Sequence, residues 1–260
     1  MKRHKSNLLR KEPMSCLTAY SSTYAQILDG NVDIILVGDS LGNTVYGMKN
    51  TRNVTMDMMM MHGKAVKKYV KKSLTIIDMP FKSYENKKQA YNNAKELLRT
   101  TKINYIKIEV NKKKLPIVKH LSEKGINLVA HIGVTPQSYK NFKNIKIKGR
   151  NKREFNELTK LAKDCETLGA KIILLEGITK KLSDEINDIL KVPTIGIGAS
   201  EKCNGQILVT DDIINLSLNN KKPKFVKNYI NFKKLLEYSV KKFSKEVKVG
   251  KFPGKKNTYT

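Results

Sequence analysis

Short apolar runs alternate along this chain with longer segments in which apolar positions recur every three or four residues. That alternation is the signature of βαβ units feeding a parallel sheet. The short runs predict strands over 15–20, 34–37, 74–77, 105–108, 128–130, 171–175, 194–197 and 206–209. A closed (β/α)8 TIM barrel requires eight such strands interleaved with helices. The pattern therefore predicts an α/β chain with one catalytic barrel domain over 1–260.

The longer segments carry helix signals of their own. Phe155, Leu158, Leu161, Ala162, Cys165 and Leu168 recur at helical period, and Gly169 supplies a C-terminal stop. Pro116 sits early in the segment 115–124, where a first-turn proline is tolerated, and Gly125 ends it. Thr55 is placed to N-cap a helix over 56–71, whose run from Met58 to Met61 reads as adaptable core packing. Near the end, Phe232, Leu235, Leu236, Val240, Phe243 and Val247 form one apolar stripe, expected to be the outer helix that closes the barrel. The loop 138–152 is the longest polar interruption and the candidate lid.

What terminates each run turns the reading from fold to chemistry. The runs read ILVGDS to Asp39 and Ser40, LTIIDMP to Asp78, YIKIE to Glu109, LVAHIG to His131, IILLEG to Glu176, and TIGIGAS to Gly198 and Ser200. A parallel barrel gathers these strand ends on one face, where active sites of this fold lie. One acid after a strand is ordinarily a helix cap or a loop ion pair. Several acids and a histidine continuing buried runs are harder to explain so, because gathered acids repel unless a cation or shared protons compensate.

Asp39, Asp78 and Glu109 are hard oxygen donors and point to Mg2+, with water or substrate completing its octahedron. Lys107 and Glu109 are two apart and share a strand face, leaving Ile106 and Ile108 to pack against outer helices. Lys107 could pair with a carboxylate and offer a cation to a substrate oxygen. Glu176, after four apolar residues, is expected to be desolvated and suited to proton abstraction, with a fourth metal ligand or a structural ion pair as alternatives. The segment IGIGASEKCNG (195–205) allows close backbone approach to a ligand but lacks the GxGxxG spacing of a dinucleotide site.

Composition narrows the partners. No apolar run approaches the ~18–20 residues that span a bilayer, and the basic stretch 1–13 lacks the apolar core of a secretory signal, which favours a cytoplasmic enzyme. Cys16, Cys165 and Cys203 form no CxxC pattern and read as thiols in a reducing compartment. The histidines, with no HxH or HExxH spacing, argue against a nitrogen-ligated metal. The net charge of +28 would suit a polyanion partner. Yet among 51 basic residues the arginines are only Arg3, Arg10, Arg52, Arg99, Arg150 and Arg153. Nucleic-acid readers favour arginine's bidentate fork, so the spread of lysines reads as a solvated surface and no specific nucleic acid is expected.

The segments LTAY (17–20), VDIILVGDSLGNTVYG (32–47), DMPFKSY (78–84), KIE (107–109), AHIGVTPQS (130–138), LEG (175–177), IGIGAS (195–200), GQILV (205–209), PKFVKNY (223–229) and FPG (252–254) resemble the ketopantoate hydroxymethyltransferase family. The resemblance runs in order over nearly the whole chain, and GDSLG, HIGxTPQS and IGIGA together are highly specific. It implies transfer of a hydroxymethyl group from 5,10-methylenetetrahydrofolate to 3-methyl-2-oxobutanoate through a Mg2+-stabilised enolate. The product, 2-dehydropantoate, belongs to the first step of pantothenate synthesis.

The resemblance also implies roles. Asp39 and Asp78, with Glu109 directly or through water, would hold Mg2+. Asp39, Ser40, Asp78 and Lys107 would contact the keto acid, His131 would hydrogen-bond in the site, and Glu176 would be the general base. Bacterial members are decamers, which implies a homo-oligomer. The chain departs from the family at Ser21 and Asn204, where aspartate is usual, and at Val110 and Asn111, where glycines are. NFKNIKIKG (141–149) lacks the usual paired glycines. An alternative is a Mg2+-dependent carbon–carbon lyase or mutase of the barrels that bind pyruvate or phosphoenolpyruvate. Those enzymes would carry a cysteine-bearing catalytic loop, which is not evident here.

Overall fold

The computed structural model of the chain describes residues 12–141, 145–218 and 222–259; the basic segment up to residue 11 and positions 142–144 of the candidate lid lie outside them. All eight expected strands form: β1 (Met14–Thr18), β2 (Ile34–Val37), β3 (Leu74–Asp78), β4 (Tyr105–Glu109), β5 (Leu128–Gly133), β6 (Ile172–Glu176), β7 (Thr194–Ile197) and β8 (Gly205–Leu208). They pair in parallel in sequence order, and β8 returns to β1 to close the barrel. This is a (β/α)8 TIM barrel. Asp78, Glu109 and Glu176 are the last residues of their strands rather than loop residues. Asp78 stands opposite Lys107, Glu109 opposite His131, and Gly133 opposite Glu176.

Strand alternation sorts the side chains into two cores. Leu36, Ile76, Tyr105, Val129, Leu174 and Ile195 belong to one apolar cluster that fills the barrel. The intervening Ile35, Ile77, Ile106, Ile108, Ala130 and Ile173 join the larger cluster with the helices. Because Tyr105 faces inward, Lys107 and Glu109 on the same strand must also do so, as the spacing predicts.

The helices are α1 (Ser22–Leu28), α2 (Leu41–Thr44), α3 (Met56–Lys67), α4 (Lys87–Thr101), α5 (Leu115–Glu123), α6 (Lys152–Thr167), α7 (Lys180–Ile189), α8 (Thr210–Ile213) and α9 (Phe232–Lys248). Side-chain caps start most of the longer ones: Ser21 accepts from Tyr24 N, Thr55 from Met58 N, Asn86 from Gln89 N and Asn151 from Glu154 N. Gly125 and Gly169 follow α5 and α6 at φ of 78° and 100°, a conformation only glycine adopts without strain.

Two expectations change. Helix α3 stops at Lys67 rather than 71, because Asp29 captures the backbone N–H groups of Lys71, Lys72 and Ser73 and turns the chain into β3. Of its methionine run, Met59 is fully buried but Met61 is 71% exposed.

Contacts divide the chain into two compact units, Met1–Val209 and Thr210–Thr260. The first is the barrel. The second contains α8 and α9, and no residue of α9 is buried. The apolar stripe expected from the sequence is present on α9, with Leu235 at 50%, Val240 at 57% and Phe243 at 54% exposed. An amphipathic stripe specifies that a face seeks cover, not which surface covers it.

Candidate active site

Barrel geometry brings the strand-end residues together. Lys107 Nζ lies 2.6 Å from Asp78 Oδ1, and both side chains are buried. The other carboxylate oxygen, Asp78 Oδ2, accepts the backbone N–H of Asp39 at 3.0 Å, which joins the ends of β2 and β3. Ser40 shares a 2.7 Å hydrogen bond with Tyr20. Across β5 and β6, His131 Nε2 approaches Glu176 Oε2 at 3.2 Å, although its direction does not make a hydrogen bond. His131 Nδ1 is likewise buried without a hydrogen-bond partner. Ser200 lies apart from this group and donates to Asp184 instead.

Burial dominates the electrostatics. Asp39, Asp78, Lys107, Glu109 and His131 are all less than 9% exposed. Burial and then the Asp78 charge push the Asp39 carboxyl well above the usual carboxylate range. Burial and then Asp39 do the same for Glu109. Burial opposes the Lys107 charge, but Asp78 and Asp39 outweigh it and hold the ammonium above the ordinary lysine value. Burial lowers His131, so its imidazole is neutral at pH 7. Glu176 is more open than the sequence suggests, with its side chain 20% exposed: the backbone turns at Gly177 and leaves the carboxylate at the barrel mouth.

Three buried carboxylates therefore face one buried ammonium. When all are ionised the cluster carries a surplus of two negative charges, the charge a divalent cation neutralises. Among the described residues no group of three or more His, Cys, Asp or Glu side chains is arranged to close on a metal. Mg2+ does not need one, since it is commonly held by one or two carboxylates and keeps several waters. The residues fit a hydrated Mg2+, which Asp39 and Asp78 are placed to hold.

Sequence reasoning missed two members of the site, Gln137 and Tyr84. Gln137 Nε2 donates to Asp39 Oδ2 at 2.7 Å, and Tyr84 donates its hydroxyl to Gln137 Oε1. The backbone N–H of Gln137 lies 3.1 Å from each oxygen of Glu109. Gln137 falls within HIGVTPQS and Tyr84 within DMPFKSY, but a neutral amide and a phenol give no charge pattern by which to rank them. Beside them lies a cavity of about 180 Å³, lined by Phe81, Lys82, Tyr84, Glu109, Lys114 and Gln137 among others. The candidate lid is anchored at its far end, where Lys148 pairs with the chain at Gly177 and Thr179.

The ketopantoate hydroxymethyltransferase family model matches residues 2–255. A 3-methyl-2-oxobutanoate hydroxymethyltransferase of Pelagibacter ubique (strain HTCC1062) is 45% identical over 249 residues, covering 96% of this chain and 95% of that protein. Its counterpart in Rhizobium rhizogenes (strain K84 / ATCC BAA-868) is 40% identical over 248 residues, 95% of this chain and 90% of that protein. Among solved structures, a phosphonopyruvate hydrolase complex with oxalate and Mg2+ has a TM-score of 0.62 at 12% identity, covering 94% of this chain and 88% of that one. A phosphoenolpyruvate phosphomutase from Streptomyces platensis subsp. rosaceus has a TM-score of 0.63 at 10% identity, covering 94% and 85%. At such identities the solved structures share the fold alone, whereas the sequence relatives match over almost their full length. The chain belongs to the ketopantoate hydroxymethyltransferase family.

Proposed function

We propose that this site transfers a hydroxymethyl group from 5,10-methylenetetrahydrofolate to 3-methyl-2-oxobutanoate, giving 2-dehydropantoate for pantothenate synthesis. The observation that carries the reading is the buried group Asp39, Asp78, Lys107 and Glu109 beside the His131–Glu176 pair. Asp39 and Asp78, with Glu109 directly or through water, would hold Mg2+, which would supply Lewis acidity to acidify the C3 proton of the keto acid.

The chain's own groups account for the remaining steps. Glu176 is the acid of the set with an accessible side chain, which suits it to take the C3 proton. Lys107 is already held by Asp78 and has N–H groups left for the substrate oxygen on which negative charge develops. His131 is neutral and lacks hydrogen-bond partners on its ring, so it can donate to the keto acid. Ser40 would contribute a further contact. The C3–H bond breaks towards Glu176, and C3 then bonds to the one-carbon unit, which water converts to the hydroxymethyl group as tetrahydrofolate leaves.

The cavity beside Glu109, at about 180 Å³, is smaller than the roughly 300 Å³ of pockets that enclose drug-sized ligands. It suits a small acid or one part of the folate. The lyase or mutase alternative loses ground because Cys16, Cys165 and Cys203 are all buried. Burial pushes Cys16 and Cys165 well above the ordinary thiol value, which is the opposite of a reactive thiolate.

Among the described residues no helix is long and apolar enough to cross a membrane, and a cytoplasmic enzyme is proposed. A homo-oligomer, a decamer by resemblance to bacterial members, would cover apolar surface such as the α9 stripe. The activity is tested by supplying Mg2+, 3-methyl-2-oxobutanoate and 5,10-methylenetetrahydrofolate. Formation of 2-dehydropantoate is expected. Turnover of phosphonopyruvate or phosphoenolpyruvate without that product would overturn the reading in favour of the alternative.

A further inference from the structure

Gln137 lies on a short 3-10 turn (Pro136–Ser138) after β5, and all its polar atoms are engaged. Its backbone oxygen accepts from Arg52 Nη1 at 3.0 Å, and the Arg52 guanidinium in turn lies 3.8 Å from the centre of the Phe81 ring. Its backbone N–H addresses both Glu109 oxygens at 3.1 Å. The side-chain Nε2 gives its two hydrogens to Asp39 Oδ2 at 2.7 Å and to Met79 O at 3.0 Å. The remaining atom, Oε1, accepts the Tyr84 hydroxyl. Tyr84 is also tied to β4, where Glu109 N donates to its oxygen at 3.3 Å.

An isolated amide can face either way, but these partners settle the matter. The Met79 carbonyl can only accept, so the amide nitrogen must face it, which leaves Oε1 for the phenol's proton. A flipped amide would turn an oxygen towards the Asp39 carboxylate. The residue type matters equally. Lysine here would cancel one of the two surplus charges that the cluster offers to a cation, and a carboxylate would deepen its repulsion. A neutral side-chain amide fixes Asp39 while the backbone N–H holds Glu109, and neither alters the charge of the two acids.

We infer that Gln137, locked in orientation by Tyr84, is a positioning residue that aligns Asp39 and Glu109 for the divalent cation. The inference rests on the metal reading proposed above. Groups that orient ligands from behind typically contribute about tenfold to a hundredfold in metal affinity.

The test is titration of the full-length metal-free protein with Mn2+, following the signal of the free aqua ion by electron paramagnetic resonance. The unsubstituted protein is compared with Gln137→Met, Tyr84→Phe and the double variant. Gln137→Met keeps the side-chain length and the backbone N–H to Glu109 but removes every side-chain hydrogen bond, so Mn2+ affinity should fall by about tenfold or more. Tyr84→Phe should cause a smaller loss. The double variant should match Gln137→Met within about twofold, because Tyr84 reaches Asp39 only through the amide.

Mn2+ binding by Gln137→Met within about twofold of the unsubstituted protein would overturn the inference, as would losses that multiply in the double variant. If Gln137→Met does not fold, Tyr84→Phe decides: weakened binding supports the role and unchanged binding overturns it. An unsubstituted protein that takes up no Mn2+ would overturn the metal reading, and this role with it. Normal uptake with unaffected variants would overturn the role of Gln137 alone.

Discussion

Lys107 has more to lose by replacement than any exposed lysine of the chain. It and Asp78 are both buried and 2.6 Å apart, so removing Lys107 leaves the buried Asp78 without its cation. Breaking one partner of such a pair costs about 3–5 kcal/mol. Lys107→Met should therefore lower the free energy of unfolding in a urea titration by that order, besides abolishing turnover. A loss under about 1 kcal/mol would mean that water reaches the pair. The inward aim of Lys107 and Glu109 was legible in the sequence, because a strand's period of two follows directly from the apolar Ile106 and Ile108 between them. Gln137 was not legible. It is 98 residues from Asp39, and only closure of the barrel brings an uncharged amide against two acids. Glu176 was located but given too dry a surrounding, since the turn at Gly177 that opens it to solvent depends on tertiary packing.

Between elements, the barrel's lower rim is held by carboxylates that gather backbone N–H groups. Asp29, after α1, accepts from Lys71, Lys72 and Ser73 ahead of β3. Glu166, near the end of α6, accepts from Lys191 and Val192 ahead of β7. Although partial burial opposes it, these bonds hold the Asp29 carboxyl below its usual value. A carboxylate depressed in this way stabilises the fold above its unfolded pKa of ~3.9 and loses that contribution as pH falls through the folded value. Asp29→Asn should then cost about 1–2 kcal/mol at pH 7, discounted for its exposure. The gap from the unsubstituted protein should close below about pH 4, as followed by thermal unfolding across pH. A gap that persists in acid would assign the effect to shape rather than charge. The helices themselves were legible through their period, caps and glycine stops. The end of α3 was not, because the competing clamp comes from another element. For α9 the apolar face was evident from sequence, but its covering surface is no local property.

At the scale of the whole molecule, eight short apolar runs sufficed for the closed barrel, because parallel strands joined by helices have few ways to bury both sheet faces. The same closure converts acids far apart in sequence into one site at the strand ends. The net charge of the chain, +28, contrasts with that buried site, where three carboxylates face one ammonium. The central claim is that Glu176 removes the C3 proton of a keto acid bound over the carboxylate group. Its most direct test follows that proton by NMR in D2O, with 3-methyl-2-oxobutanoate, Mg2+ and either the unsubstituted protein or Glu176→Gln, before any folate is added. The expected result is exchange of the C3 proton that depends on Mg2+ and disappears in Glu176→Gln while keto-acid binding stays near normal. Absence of exchange in folded, Mg2+-loaded unsubstituted protein, or undiminished exchange in Glu176→Gln, would contradict the account.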